Sequence, residues 1–119
     1  MLQQDGVTLL HTTFSNWTII PGLFHQAYPG SYPGGDYPPL SGASEKNTLG
    51  YDFSGYAVDS VYHITYTFDH AEDILTLDFS ALGLQPIADE SWGLDNVVVT
   101  LSGGADLLPH RLYLPVMAR

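Results

Sequence analysis

The sequence predicts an all-β fold, an antiparallel β-sandwich of jelly-roll character, and three observations carry that expectation. From Val61 to Phe68 the side chains alternate, with Tyr62, Ile64, Tyr66 and Phe68 on one face and Val61, His63, Thr65 and Thr67 on the other. This is the two-residue period of a half-buried strand. No window sustains the spacing of an amphipathic helix. The Gly and Pro residues fall between short β-like runs, as they do in sandwiches.

The expected elements follow in chain order. Val7 to Phe14 and Trp17 to Ile20 read as strands near the start. Tyr28-Pro29-Gly30-Ser31-Tyr32-Pro33-Gly34-Gly35-Asp36-Tyr37-Pro38-Pro39 cannot hold a ladder, because proline removes donors and glycine adds chain entropy. A long surface loop is therefore expected over about 28–47. Thr48 to Phe53 reads as a strand with Leu49, Tyr51 and Phe53 in phase. The alternating run 61–68 is expected to pair with Ile74 to Phe79 as a hairpin, across the polar break Asp69-His70-Ala71-Glu72-Asp73. Leu94 to Leu101 is the next strand. The alternating stretch Leu107 to Val116 contains Pro109 and Pro115, which reduce it to an edge strand or an exit linker. One domain is expected over 1–106, with 107–119 as that final segment.

Composition narrows the function classes. At 119 residues the chain has the size of one domain. Only 13% of its residues are charged, about half the share of an average globular protein, so surface polarity falls to Ser, Thr, Asn, Gly and Tyr. Thirteen Asp and Glu against three Lys and Arg give a formal charge of −10, which repels phosphate backbones and anionic lipid surfaces. Binding to nucleic acid and insertion into a membrane are not expected. The absence of cysteine rules out disulfides, thiol nucleophiles and thiolate metal sites. Met1-Leu2-Gln3-Gln4-Asp5 lacks the basic and apolar regions of a secretory signal, which leaves the export route open.

The run YHITYTFDHAEDILTLDFSALGLQPIADESWGLDNVVV, Tyr62 to Val99, resembles the C-terminal half of a group of bacterial secreted and cell-surface β-sandwich modules. Asp89-Glu90-Ser91-Trp92-Gly93-Leu94-Asp95-Asn96-Val97 matches their closing signature. Phe14-Ser15-Asn16-Trp17 and Asn47-Thr48-Leu49-Gly50 fit the pattern weakly. The resemblance covers about a third of the chain strongly and implies a jelly-roll or concanavalin-like accessory domain at an extracellular or cell-surface location. It implies no particular activity.

Two groups of residues are candidate sites. Strand parity puts Asp95 on the face of Val97, Val99 and Leu101, and an ionised acid at a core edge needs donors, a basic partner or a metal. Asp89, Glu90, Asp95 and Asn96 are therefore candidate oxygen ligands for a structural calcium ion. Hydrogen bonds from a neighbouring loop are the alternative, since no spaced calcium loop is present. Trp92 is expected to pack in the core. Tyr28, Tyr32 and Tyr37, set in the stiffened loop, and Trp17 are candidate ligand-binding rings, because aromatic side chains give large contact area at low entropic cost.

Catalysis finds less support. His11, His25, His63, His70 and His110 are scattered without metal-ligand spacing, and no G-x-S-x-G elbow occurs. The acid pairs Glu72/Asp73 and Asp89/Glu90 are chain neighbours, and neighbours on a strand point apart. The expectation is a non-catalytic extracellular binding or adhesion module with a glycan or protein surface as partner. A structural subunit of a filament or surface layer, pairing with other copies of itself, is the alternative.

Overall fold

A computed structural model describes residues 1–87 and 90–102. Among them every regular element is a β-strand, and every ladder is antiparallel. The strands are β1 (Leu2–Gln4), β2 (Val7–Leu10), β3 (Glu45–Lys46), β4 (Asp52–Phe53), β5 (Tyr56–Ala57), β6 (Ser60–Val61) and β7 (Leu77–Phe79). They form three small sheets, ordered β2-β1-β7, β3-β6 and β4-β5.

Two tight turns organise these sheets. Asp5 and Gly6 both take positive φ, 48° and 80°, between the paired residues Gln4 and Val7. Ser54 and Gly55 repeat the geometry, 53° and 83°, between Phe53 and Tyr56. Two consecutive left-handed residues make a type I′ turn, whose twist matches that of the strands it joins. Asp-Gly and Ser-Gly are the sequence marks of both hairpins.

The expected hairpin between 61–68 and 74–79 does not form. β7 pairs instead with β1, Leu2 facing Phe79 and Gln4 facing Leu77. The Asp5 turn holds this arrangement: Asp5 N–H donates to the Thr76 carbonyl at 2.9 Å, and Thr76 N–H donates to Asp5 Oδ1 at 2.9 Å. With its partner taken by β1, the segment after Val61 runs outside any ladder. Its parity survives partly, since Tyr62 and Phe68 are half-buried while His63, Thr65 and Thr67 are exposed.

Residues 44–61 form one curled antiparallel excursion. Ser44 N–H donates to the Val61 carbonyl at 2.8 Å and Asn47 N–H to the Asp59 carbonyl at 2.9 Å, on either side of the β3-β6 pair. The predicted strand 48–53 survives only as Asp52–Phe53. Thr48 to Tyr51 wrap instead around the Asp59 carboxylate, whose Oδ1 accepts from Thr48 and Leu49 at 2.8 and 3.0 Å and whose Oδ2 accepts from Tyr51 at 3.1 Å. Asp59 is 4% exposed. Burial pushes its pKa up, but the backbone donors outweigh that effect and hold it below the ordinary carboxylate value.

Other strand expectations shorten in the same way. Of Val7 to Phe14, only Val7–Leu10 is a strand, and Trp17 to Ile20 lies outside any ladder. Leu94 to Leu101 is also unpaired, although Val97 and Val99 are half-buried and Val98 is 80% exposed. Trp92 is 52% exposed rather than packed. Neither segment finds a strand partner among the described residues, so alternation alone does not place it in a sheet. The final segment 107–116 and Asp89 lie outside the described residues.

The buried centre is small and polar. Leu10, Ala27 and Leu40 are its apolar members, and Gln26, 1% exposed, is its hub. Gln26 Nε2 donates to the Tyr28 and Ser41 carbonyls at 2.8 Å each. Its Oε1 accepts from Ser15 N–H, Leu40 N–H and the Tyr62 hydroxyl, each at 3.1 Å. One amide thus joins four chain segments, consistent with the rule that buried polar groups are hydrogen-bonded.

Candidate functional site

The site is built outward from Gln26. Its N–H donates to the Tyr37 carbonyl at 2.8 Å and its carbonyl accepts from Tyr37 N–H at 2.9 Å, which closes the neck of the Tyr-Pro-Gly loop. The strip just after β2 clips the loop along its length: Tyr28 N–H donates to Thr13 O at 3.1 Å, Tyr32 N–H to His11 O at 2.8 Å, and Thr12 Oγ1 to Gly30 O at 2.8 Å. Gly35 is required at the neck, because a Cβ there would stand 2.1 Å from the Ala27 carbonyl oxygen. The loop is therefore a fixed structure.

The three loop tyrosines part company. Tyr28 folds back, half-buried, with its ring centroid 5.1 Å from Phe14 and 5.2 Å from Tyr62. Tyr32 remains exposed and meets His11 edge-on at 5.3 Å. Tyr37 is also exposed. Burial raises the pKa of Tyr62, and to a lesser degree hydrogen bonds to Ser60 and Gln26 oppose it.

Trp17 gathers a second and larger aromatic face. Asn16 fixes its position by donating from Nδ2 to the Val58 carbonyl at 3.0 Å and accepting from the Ser60 hydroxyl, which ties this strip to the curled excursion. The Trp17 indole is then met edge-on by Phe24, Phe53 and Tyr56, at centroid distances of 6.5, 5.9 and 6.1 Å. Edge-to-face pairs of this kind each add about 0.5–1.5 kcal/mol beyond area burial. Trp17 is half-buried, and its buried Nε1 has no hydrogen-bond partner among the described residues. The three rings around it are exposed, Phe24 most of all at 59%.

A pocket of about 310 Å³ is lined by Thr18, Ile20, Pro21, His25, Pro38 and Pro39 among others, and none of the four rings of the Trp17 cluster is in its lining. It begins at the residue after Trp17 and takes in the residue after Phe24. His25 Nδ1 lies 2.5 Å from Asp36 Oδ1, so the imidazole is oriented by a carboxylate from the far side of the loop. Isoleucine, proline and imidazole line an open, mainly apolar recess with two polar side chains, Thr18 and His25.

The acidic segment is arranged otherwise than expected. Asp95 is exposed, and its Oδ1 accepts from Asn96 N–H at 2.7 Å. Glu90 Oε2 accepts from Gln85 N–H at 2.8 Å. Glu90, Asp95 and Asn96 are thus solvent-facing, and the inward orientation of Asp95 is corrected: without a ladder over 94–101, parity alone does not press a side chain into a core. Among the described residues, His, Asp and Glu form no group of three or more able to hold a metal ion. The carboxylate that enters the interior is Asp59, and the argument applied to Asp95 fits it.

Trp17 is the sequence candidate that the structure places at the centre of this face. Phe24, Phe53, Tyr56, His25 and Asp36 were missed. Phe24 and His25 stand beside the Tyr-Pro-Gly loop and Asp36 within it, but their convergence depends on the Gln26–Tyr37 neck, which no local pattern marks. No family profile, curated protein or solved structure matches this chain.

Proposed function

We propose that the chain is a non-catalytic extracellular binding or adhesion module, organised as a jelly-roll-like β-sandwich, that presents the Trp17 face to a glycan or protein surface. The observation that carries this reading is the exposed cluster of Phe24, Phe53 and Tyr56 around a fixed indole. Exposed aromatic side chains held in place by their neighbours are the groups most often found at the energetic centres of interfaces. The resemblance of the Asp89–Val97 signature to secreted modules supports the extracellular setting, as do the sparse charge and the Thr-rich runs.

Retention on a panel of insoluble polysaccharides and immobilised secreted proteins tests the proposal. The wild-type chain is expected to be held by at least one member and the Phe24→Ser/Tyr56→Ser double variant to be released. Equal retention of both, or retention of neither, would remove the reading.

A structural subunit is the second reading, favoured by the exposed Leu82, Ile87, Leu94 and Val98, which lie outside any ladder. An apolar segment with unpaired backbone can add to a sheet edge of another copy. Size-exclusion chromatography over a wide concentration range separates the two, since a subunit assembles with concentration and a module does not. The expected calcium ion at Asp89, Glu90, Asp95 and Asn96 has its own check. An ion present at 100 times its Kd contributes about 2.7 kcal/mol, so EDTA is expected to lower the melting temperature, and an unchanged value removes the ion.

A further inference from the structure

Resting on the binding-module reading, we propose that the recess lined by Thr18, His25 and Pro38 seats a single neutral hexose unit of a polysaccharide. Size points to one ring, because about 310 Å³ is the lower end of the range for small-molecule pockets. Charge points to a neutral ligand: the chain carries −10, and the Asp36 carboxylate is in contact with the lining residue His25, so phosphate, sulfate and uronate groups are repelled.

Polarity points to a sugar rather than an apolar side chain. The recess has Thr18 and His25 in its lining. With His25 Nδ1 turned to Asp36, Nε2 is left for a ligand, and neither it nor the Thr18 hydroxyl makes a hydrogen bond among the described residues. Those two groups match ring hydroxyls, while Ile20, Pro21, Pro38 and Pro39 match the C–H faces of the ring. The prolines also hold the wall in place before binding, which lowers the entropic cost of association.

The chain has two tryptophans, so Trp17 fluorescence can be followed alone in a Trp92→Phe background. Titration uses neutral gluco-, manno- and galacto-hexasaccharides, with oligogalacturonate as the charged arm. A saturable change is expected with at least one neutral oligomer and none with oligogalacturonate. Thr18→Ala and His25→Ala are each expected to weaken it about tenfold or more, while Ile74→Ser, at an exposed apolar position outside the recess, leaves it unchanged.

Far-ultraviolet circular dichroism of each variant separates loss of binding from loss of fold. If a variant unfolds, protection of Trp17 from acrylamide quenching by saturating sugar in the Trp92→Phe chain is the measurement that decides. Absence of any response to all three neutral oligomers, or a stronger response to oligogalacturonate, overturns the hexose assignment. Retention on immobilised protein alone in the panel assay overturns it too, and leaves the binding-module reading standing.

Discussion

Among the described residues Gln26 and Asp59 are the buried polar side chains, and each organises the backbone around it. Gln26→Leu keeps the approximate volume but strands the Ser15 N–H and the Tyr28 and Ser41 carbonyls, and an unsatisfied buried group costs about 1–3 kcal/mol. A loss of about 3 kcal/mol or more is expected in urea unfolding, and a value under about 1 kcal/mol would contradict the hub. Asp59 acts through charge. Its folded pKa lies below the ordinary value of 3.8, so its stabilisation is complete above that value and is lost as pH falls through the folded one. Wild type is therefore expected to lose melting temperature on acidification below about pH 4, and Asp59→Ala to lose less over the same range. At neutral pH, Asp59→Ala is expected to destabilise far more than Asp95→Ala or Asp73→Ala, because the last two carboxylates are exposed.

At the scale of elements, stability is expected to sit in the two type I′ hairpins. Gly55 has φ +83° and open space around its missing Cβ, so Gly55→Ala meets backbone strain without a clash. A cost of about 1–2 kcal/mol is expected from thermal unfolding, against almost none for Gly34→Ala, where φ is not in the left-handed region and the nearest atom to an added Cβ is 3.7 Å away. Strand character was legible at Val7–Leu10, Asp52–Phe53 and Leu77–Phe79, but not at Leu2–Gln4 and Tyr56–Ala57, nor at Glu45–Lys46, which lies in the expected surface loop over about 28–47. Pairing was not legible. The alternation of 61–68 says which side chains share a face, but Leu77–Phe79 chose β1 because the Asp5 turn docks on Thr76, a contact between distant residues. The candidate site divides along the same line. Trp17 was visible as an isolated indole, whereas the rings around it are brought there by Asn16 and the curled excursion, and the loop tyrosines differ in exposure because only Tyr28 has Phe14 and Tyr62 within reach.

Taken whole, the molecule shows much of its apolar surface to solvent: among the described residues Ile74, Leu82, Ile87 and Val98 are each more than three-quarters exposed. Its many exposed apolar side chains are accompanied by a charge of −10, and mutual repulsion of that size opposes both compaction and self-association. Screening at 0.15 M salt shortens the reach of these charges to about 8 Å. The melting temperature is accordingly expected to rise by a few degrees between about 0.01 and 0.15 M sodium chloride, and a fall would show that attractive ion pairs outweigh the repulsion.

The Gln26–Tyr37 clasp has an evolutionary corollary. Because the Tyr-Pro-Gly stretch is fastened at its neck and again along its length by His11, Thr12 and Thr13, exchanges that keep its length are tolerable only at Pro33 and Gly34, which bear no tie to that strip. Insertions elsewhere in the loop would have to break one of its clips.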